Sequence, residues 1–500
     1  MKKIIYLILA LVVATFCACD NYVDIQPTGR KTVDSASTYL DLVAQPERVY
    51  NPMAFGLLND NAWMIEANVI GKENLSFDGI NMTFNEDADR LSLSDNNLYE
   101  NMYNYIMREN IVIGNVDNSK GSDDIKQLAK AEARVMRAWD HFLAVNTFAK
   151  AYDPATAAQD GGIAIMDEYN LEATPTKASV AEVYSFLISE LKEAVPLLAE
   201  EPKNIYHPNK AFGYALQSLV YLFHRDYQEA KDAAEKSLAL KSELADYVKL
   251  KQAGGPTKSS MYGLADNPEI LNYAYQNSNT DNYGYTFNYG LISPELVQMF
   301  ESNDLRYSLF FTQNASKYYY DAGSGAAVWN SKITYKKFQY SSVGLRTAEV
   351  YLVLAEAEAR LGNINESIGI INKLREKRLD GTSTALPTPS TKEEMMKIVI
   401  DERRKELLFG FHRFWDLKRF NTEPEYAKVI TRTFPLVSTD VEHKTYTLQP
   451  GSKLYIIPFP EKVRAKNPNI TICPRGIYTF TACRSSCCSR SVFCFRPRLH

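Results

Sequence analysis

The sequence predicts a mainly α-helical protein, a helix-pair scaffold of the tetratricopeptide type with long irregular insertions. Two helix–turn–helix segments, residues 209–240 and 346–379, repeat small and apolar residues at helical spacing. Between them, residues 251–330 are rich in Tyr, Asn, Ser and Gly, which is typical of loops with short strands. Each pair leaves an apolar face open, so we expect the pairs to stack into an α–α superhelix. The insertions are expected to form the ligand-binding half.

Both helix pairs carry small residues where neighbouring helices must approach closely. These positions are Ala215, Ala230 and Ala234 in the first pair, and Ala355, Ala359 and Gly362 in the second. The first pair is predicted over residues 209–223 and 227–240, and the second over residues 346–361 and 364–379. The alternative interpretation is two unrelated helical hairpins.

Further helices are predicted over residues 35–45, 123–146 and 176–198, with residues 24–97 otherwise irregular. Ser179 followed by Glu182 predicts a capping box at the start of the last of these helices. Trp139 and Trp415 lie in helical patterns and are expected in the core.

The N-terminus has the pattern of an export signal. Lys2 and Lys3 precede an apolar run of eleven residues, 4–14, which is shorter than the roughly 20 residues that a membrane span needs. Residues 1–18 are therefore interpreted as a signal peptide. Cys19 follows this run and Ala18, an arrangement that resembles a bacterial lipobox, so we expect lipid on Cys19. The alternative is an ordinary signal peptide cut after Ala18.

Charge and cysteine content narrow the function classes. The net charge of −4 argues against nucleic-acid binding, because phosphate recognition needs a clustered basic surface. No cysteine occurs between residues 20 and 472, whereas residues 473–500 hold five. This tail is rich in Cys, Arg and Ser and is interpreted as lying outside the fold, a foreign or frame-shifted ending. A zinc site in the tail is the alternative.

Catalytic and cofactor motifs are missing from the sequence. It holds no HExxH, no GxSxG, no P-loop and no GxGxxG before a helix, so we expect no cofactor and no metal site. Residues 402–406, Glu-Arg-Arg-Lys-Glu, are interpreted as an ion-pair lattice on a packed helix, with a ligand clamp as the alternative. The adjacent Glu86 and Asp87 lie in a predicted loop, where a solvated or cation-binding turn is favoured over a pair of glycosidase carboxylates.

Several segments, in their order along the chain, resemble those of a known family. They are residues 19–27 (CDNYVDIQP), 131–139 (AEARVMRAW), 345–352 (LRTAEVYL), 401–407 (DERRKEL), 414–419 (FWDLKR) and 454–458 (LYIIP). Together they resemble SusD/RagB-type nutrient-binding lipoproteins of Gram-negative outer membranes. The resemblance covers nearly all of residues 1–472 and ends where the atypical tail begins.

This resemblance implies a lipid-anchored protein on the cell surface, at the outer membrane. Such a protein captures oligosaccharide and passes it to a TonB-dependent, SusC-like transporter, without being an enzyme. A peptide-binding uptake lipoprotein is the main alternative, and a surface-tethered glycan hydrolase is another. One SusD-like domain is expected over residues 19–472, with an N-terminal part to about residue 250 and a C-terminal part from about residue 251.

Candidate ligand contacts come from composition and position. Aromatic rings can lie over the C–H faces of sugars, while amides and carboxylates bond to hydroxyl groups. The candidates are Trp63 with its neighbours Asn59, Asp60 and Asn61, followed by Tyr283, Tyr285, Tyr319 and Trp329. For each of them the alternative is local packing.

Overall fold

A computed structural model describes most of the chain. It covers residues 33–44, 48, 50, 58–64, 73–74, 77–88, 96–255, 267–272, 290–314, 318–321, 326–329, 332–335, 344–408, 411–434 and 444–471. The predicted signal peptide, Cys19, Tyr283, Tyr285 and the tail at 473–500 lie outside the described residues.

Helices dominate the described residues. In chain order they are α1 (Ala36–Val43), α2 (Phe77–Met82), α3 (Asn96–Asn115), α4 (Asp123–Phe148), α5 (Val180–Ala194), α6 (Lys210–His224), α7 (Tyr227–Leu240), α8 (Tyr247–Gln252), α9 (Pro294–Gln298), α10 (Leu305–Phe310), α11 (Thr347–Leu361), α12 (Ile364–Glu376), α13 (Lys392–Glu406), α14 (His412–Phe420) and α15 (Glu461–Lys466). The mainly α-helical fold class is thereby confirmed.

Eight short strands form four antiparallel two-stranded ribbons within the described ranges. The strands are β1 (Ala62–Met64), β2 (Gly290–Ile292), β3 (Phe311–Asn314), β4 (Tyr318–Asp321), β5 (Ala326–Trp329), β6 (Lys332–Tyr335), β7 (Ile430–Phe434) and β8 (Lys444–Leu448). The pairs are β1–β2, β3–β6, β4–β5 and β7–β8. Four of the eight strands, β2 to β5, lie within residues 251–330, where loops with short strands were predicted, and β1 lies within residues 24–97, which were predicted to be irregular.

Local capping explains where the scaffold helices begin and end. The hydroxyl of Ser179 accepts from the backbone N–H of Glu182, whose carboxylate accepts from the backbone of Ser179, so the predicted capping box is confirmed. Helix α6 ends at Arg225 and α11 at Gly362, both in the left-handed region, with φ of 70° and 89°. Glycine adopts that conformation without a Cβ penalty.

The two predicted helix pairs stack directly on each other. Helix α6 packs against α7, α11 packs against α12, and α7 of the first pair lies against α11 of the second. The small side chains predicted at these contacts are buried, among them Ala230, Ala234 and Ala355. Across this contact Lys231 forms an ion pair of 2.9 Å with Glu358. The pairs therefore form one scaffold, and the interpretation as unrelated hairpins is wrong.

One aromatic core connects the N-terminal and C-terminal parts. Trp139 and Trp415 are 1% and 2% exposed, as predicted. The ring of Phe142 lies 5.5 Å from that of Trp415, with the planes nearly perpendicular, and Phe411 stacks on Trp415 at 4.9 Å. Helix α4 of the N-terminal part therefore packs on α14 of the C-terminal part. None of the helices in the described ranges combines the length and apolar content that crossing a bilayer needs.

The C-terminal end of α13 carries the predicted ion-pair lattice. The Glu406 carboxylate lies 3.0 Å from Arg378, 3.3 Å from Arg306 and 3.4 Å from Arg346. Burial by itself would raise the pKa of Glu406, but the guanidinium groups outweigh it and lower that pKa to about 2. The lattice interpretation of residues 402–406 is confirmed for Glu406, whose partners come from three other segments.

Candidate ligand-binding region

The N-terminal segment that carries Trp63 pairs with the central insertion. Strand β1 runs antiparallel to β2, with Trp63 opposite Leu291. Strand β2 in turn lies beside β6 of the next ribbon. Segments more than 200 residues apart in the sequence thus meet at one place.

Buried polar groups fix the turn into β1. Asn59, Asp60 and Asn61 are at most 4% exposed. The backbone N–H of Ser293 donates to the Asn61 carbonyl at 2.9 Å, and the Ser293 hydroxyl donates to the Asp60 carbonyl at 2.7 Å. The Asn59 side-chain oxygen accepts from the Asn61 backbone at 2.9 Å. Hydrogen bonds therefore hold together the entry into β1 and the exit from β2, at one end of the ribbon.

Three cations surround the Asp60 carboxylate. Arg413 of α14 donates to both carboxylate oxygens at 2.7 Å, Lys428 donates at 2.7 Å, and Arg404 of α13 lies at 3.3 Å. Burial alone would raise the pKa of Asp60, but the three cations hold it well below its usual value. We call these four residues the Asp60 cluster. It fastens the strand of Trp63 to the C-terminal scaffold.

The cluster changes what is expected of the polar neighbours of Trp63. Asp60 is saturated by cations, and the Asn61 side-chain oxygen accepts from Arg404 at 2.7 Å. Asn59, Asp60 and Asn61, which were predicted to bond to ligand hydroxyls, are buried and bonded within the protein, except that the side-chain nitrogen of Asn61 has no hydrogen-bond partner among the described residues. Their hydrogen bonds position the ribbon, and their predicted bonds to ligand hydroxyls stay a prediction.

Arg432 of β7 adds a second fastening at the same turn. It donates to the Asn59 carbonyl at 2.5 Å and to the Met82 carbonyl at 3.2 Å. Its guanidinium lies 4.4 Å from the ring centre of Phe84, a cation–π contact. Burial lowers the pKa of Arg432 to about 9, so it remains protonated at neutral pH. Sequence reasoning placed Arg404 in the lattice of residues 402–406 but did not link it to Asp60, and it missed Arg413, Lys428 and Arg432.

The register of the β4–β5 ribbon shows which residues lie opposite the candidates Tyr319 and Trp329. Trp329 lies opposite Tyr318, and Tyr319 lies opposite Val328. Directly opposite residues of an antiparallel pair share one face, and successive residues alternate between faces. Trp329 and Tyr319 therefore belong to opposite faces, and Tyr318 is the aromatic residue that shares a face with Trp329. The sequence offered three consecutive tyrosines and no basis for choosing among them.

Metal chemistry finds no support in the described part of the chain, where no group of three His, Cys, Asp or Glu side chains is placed to hold an ion. His141 is fully buried, and its Nε2 accepts from the Met166 backbone at 3.1 Å. Burial lowers the pKa of His141 to about 3, so the ring is neutral. Glu86 and Asp87 lie in a bend, as predicted.

Comparison with solved structures defines the fold class. A SusD superfamily protein from Bacteroides thetaiotaomicron aligns with a TM-score of 0.67 and 20% identity, over 88% of this chain and 99% of that one. A putative sugar binding protein from Bacteroides vulgatus aligns with a TM-score of 0.65 and 19% identity, over 90% and 100%. The fold is therefore that of the SusD superfamily.

Sequence comparison gives the family. The profile described as "SusD family" matches residues 311–474, and that described as "Starch-binding associating with outer membrane" matches residues 30–222. The chain is a SusD/RagB-type protein, as its ordered segments predicted.

Two curated relatives come from Formosa agariphila. SusD-like protein P2 is 24% identical over 302 residues, 51% of this chain and 59% of that protein. SusD-like protein P38 is 36% identical over 85 residues, 16% of this chain and 17% of that protein. The chain thus aligns with less than two thirds of the length of either relative.

Proposed function

We propose that this protein captures oligosaccharide at the cell surface and passes it to a TonB-dependent, SusC-like outer-membrane transporter. The observation that carries the proposal is the contact of β2, the partner strand of Trp63, with β6, the strand that follows that of Trp329 along the chain. The matched profile description, starch-binding and associating with the outer membrane, supports the same function.

The geometry that supports the proposal is the attachment of β1, the strand of Trp63, to the helical scaffold. The Asp60 cluster fixes β1 to helices α13 and α14, so Trp63 is carried by a strand whose approach cannot shift freely. Aromatic residues that are held in place bind with a smaller loss of conformational entropy than mobile ones. A glycan is the ligand class that uses ring faces without requiring a charged site.

Tyr283, Tyr285, Tyr319 and Trp329 remain proposed ligand contacts together with Trp63, and we add Tyr318 from the register. Calorimetric titration with a panel of oligosaccharides tests them. Trp329→Ala is expected to weaken binding at least tenfold, which corresponds to about 1.4 kcal/mol. The matched control is Tyr169→Ala, an exposed ring 47% accessible on the connection between α4 and α5. Equal affinity of wild type, Trp63→Ala and Trp329→Ala would remove the two tryptophans from the site.

The proposed anchor is lipid on Cys19, which would keep the protein beside its transporter. Cys19→Ala is expected to release a folded, ligand-binding protein into the soluble fraction. Retention at the membrane with unchanged lipid labelling would contradict the assignment of Cys19.

The proposed role is binding without catalysis. Incubation with polysaccharides is expected to give bound ligand and no shortened products. Release of products would favour the tethered hydrolase instead. Binding of peptides in place of every glycan tested would favour the peptide-uptake alternative.

A further inference from the structure

A concave site lies on the helical scaffold. The end of α5, the 3-10 turn Val195–Leu197 and helices α6 and α7 enclose a groove of about 210 Å³. Its lining includes Lys192, Tyr214, Gln217, Tyr221, Glu229 and Lys236. None of its lining residues belongs to the ribbons that carry Trp63 and Trp329.

Gln217 is the unusual member of this groove. Its side chain is only 9% exposed, yet it has no hydrogen-bond partner among the residues that the structure describes. Its helix neighbour Ser218 is also buried, but the Ser218 hydroxyl donates to the Ala215 carbonyl at 2.7 Å. The amide nitrogen and oxygen of Gln217 are not enclosed by the protein, so water or a ligand can supply their bonds. Because Gln217 lines the groove, that water or ligand lies in the groove.

Two tyrosines line the groove, the partly exposed Tyr214 and Tyr221, which is only 4% exposed. Lys236 Nζ lies 5.8 Å from the ring centre of Tyr214, and Lys192 Nζ lies 5.9 Å from that of Tyr221. Neither phenolic hydroxyl has a hydrogen bond to any described residue. Burial raises the pKa of Tyr221 to about 12, so its hydroxyl stays protonated and can donate.

The charges of the groove cancel. Lys192 and Lys236 face Glu229 and Asp232, and within the described ranges neither lysine lies within 4.0 Å of a carboxylate. Only Asp232 is engaged, accepting from Gln228 at 2.7 Å. A balanced set of cations and carboxylates does not select an anion. It offers donors and acceptors in equal measure to a neutral, hydroxyl-rich ligand.

We propose that this groove binds one neutral pyranose unit of a glycan, as a contact site separate from the ribbons. Its volume equals about seven water molecules at the liquid density, enough for one sugar ring. The proposal rests on the glycan-binding function proposed above. One unit alone binds weakly, with Kd of the order of millimolar, but two sites on one glycan raise its overall affinity.

Saturation-transfer NMR on the detergent-purified full-length protein tests the groove. The probes are the methyl pyranosides of glucose, galactose, mannose and xylose, with trialanine as the peptide probe. Every variant is made in a Trp329→Ala background, so that signal from the proposed ribbon site is reduced. At least one glycoside is expected to keep its signal in that background and to lose fivefold or more on Gln217→Leu.

Tyr221→Phe removes only a hydroxyl, so it serves as the second variant if Gln217→Leu impairs folding, and Tyr169→Ala is the control. Glycoside signals unchanged by both groove variants would overturn the proposal. So would signals abolished by Trp329→Ala alone, while the proposed function would stand. A Gln217-dependent signal from trialanine alone would overturn it in favour of a peptide. If calorimetry also detects no glycan binding to the wild type, the proposed function fails as well.

Discussion

The Asp60 cluster and the groove lined by Gln217 are two polar regions that differ in where their hydrogen bonds are made. At the Asp60 cluster a carboxylate is met by Arg413, Lys428 and Arg404, and the protein supplies every bond. At the groove the Gln217 amide is almost as buried, but none of its bonds is made within the described residues. Burial of a polar side chain therefore does not by itself identify a functional site; the two regions differ in whether the protein or the open groove meets the hydrogen bonds of that side chain.

Removing the central charge of the satisfied region is expected to have the largest effect. Asp60→Ala leaves three buried cations without their shared counter-charge, so we expect a loss of about 3–5 kcal/mol in the free energy of unfolding. Urea denaturation measures it. The control is Asp41→Ala, an exposed carboxylate paired with Lys203 at the surface. A loss below about 1 kcal/mol would show that the cluster is not what holds β1 in place.

Lowering the pH is expected to have the second-largest effect, through the ion-pair lattice around Glu406. The pKa of Glu406 is lowered from 4.5 to about 2, so its stabilisation is fully present above about pH 4.5 and is lost as the pH falls through 2. Between about pH 4.5 and 2 the unfolded chain binds more protons than the folded protein. The free energy of unfolding therefore decreases as the pH is lowered, by roughly 3 kcal/mol for this group. Thermal unfolding between pH 6 and 2 checks it, and in Glu406→Gln the slope is expected to be shallower. An equal slope would contradict the assignment.

Lys418 has one hydrogen bond but no counter-charge among the described residues, so it is intermediate between Asp60 and Gln217. Its replacement is expected to change the free energy of unfolding less than the two changes above. Its ammonium donates to the Asn146 carbonyl at 2.8 Å, but no described carboxylate pairs with it. Burial lowers its pKa to about 7. Between about pH 7 and 10 the unfolded chain binds more protons, so stability rises with pH. Lys418→Met is expected to gain roughly 1–3 kcal/mol at pH 7, and less at pH 10.

Calorimetric unfolding at both pH values measures the gain at Lys418. The control is Lys462→Met, at an exposed position on α15. A gain that is identical at pH 7 and pH 10 would show that titration of Lys418 is not its source.

Substitution of Gln217 in the groove is expected to change the free energy of unfolding least, and in the opposite direction to Asp60→Ala. Without ligand, Gln217→Leu removes an amide that has no partner, so the free energy of unfolding is expected to rise or stay level, within about 1 kcal/mol. Asn146→Leu is the matched comparison, because the Asn146 amide donates to Phe142 and its oxygen accepts from Tyr184. Loss of stability in Gln217→Leu equal to that in Asn146→Leu would remove the contrast between the two regions.

Local sequence signals predicted the scaffold closely. The helix over residues 227–240 has the predicted bounds, and the capping box at Ser179 forms as expected. Helix α12 was predicted to reach residue 379 but ends at Glu376. Beyond it the Arg378 carbonyl accepts from Leu305 at 2.9 Å, so a tertiary contact ends the helix before its periodicity does. The predicted irregular segment 24–97 also hides α2 and the start of α3, whose polar sequences lack a clear apolar period.

By itself, the sequence determined the helix pairs, the buried tryptophans and the SusD/RagB-type family, because periodicity, capping and motif order are properties of neighbouring residues. Only the tertiary structure decided that Asp60 is a buried anchor, that Trp329 shares a ribbon face with Tyr318, and that Gln217 faces a groove. Those facts depend on register and on partners up to several hundred residues away. A composition rich in Asn, Asp and Tyr is the same whether these side chains are saturated by the protein or open to a ligand.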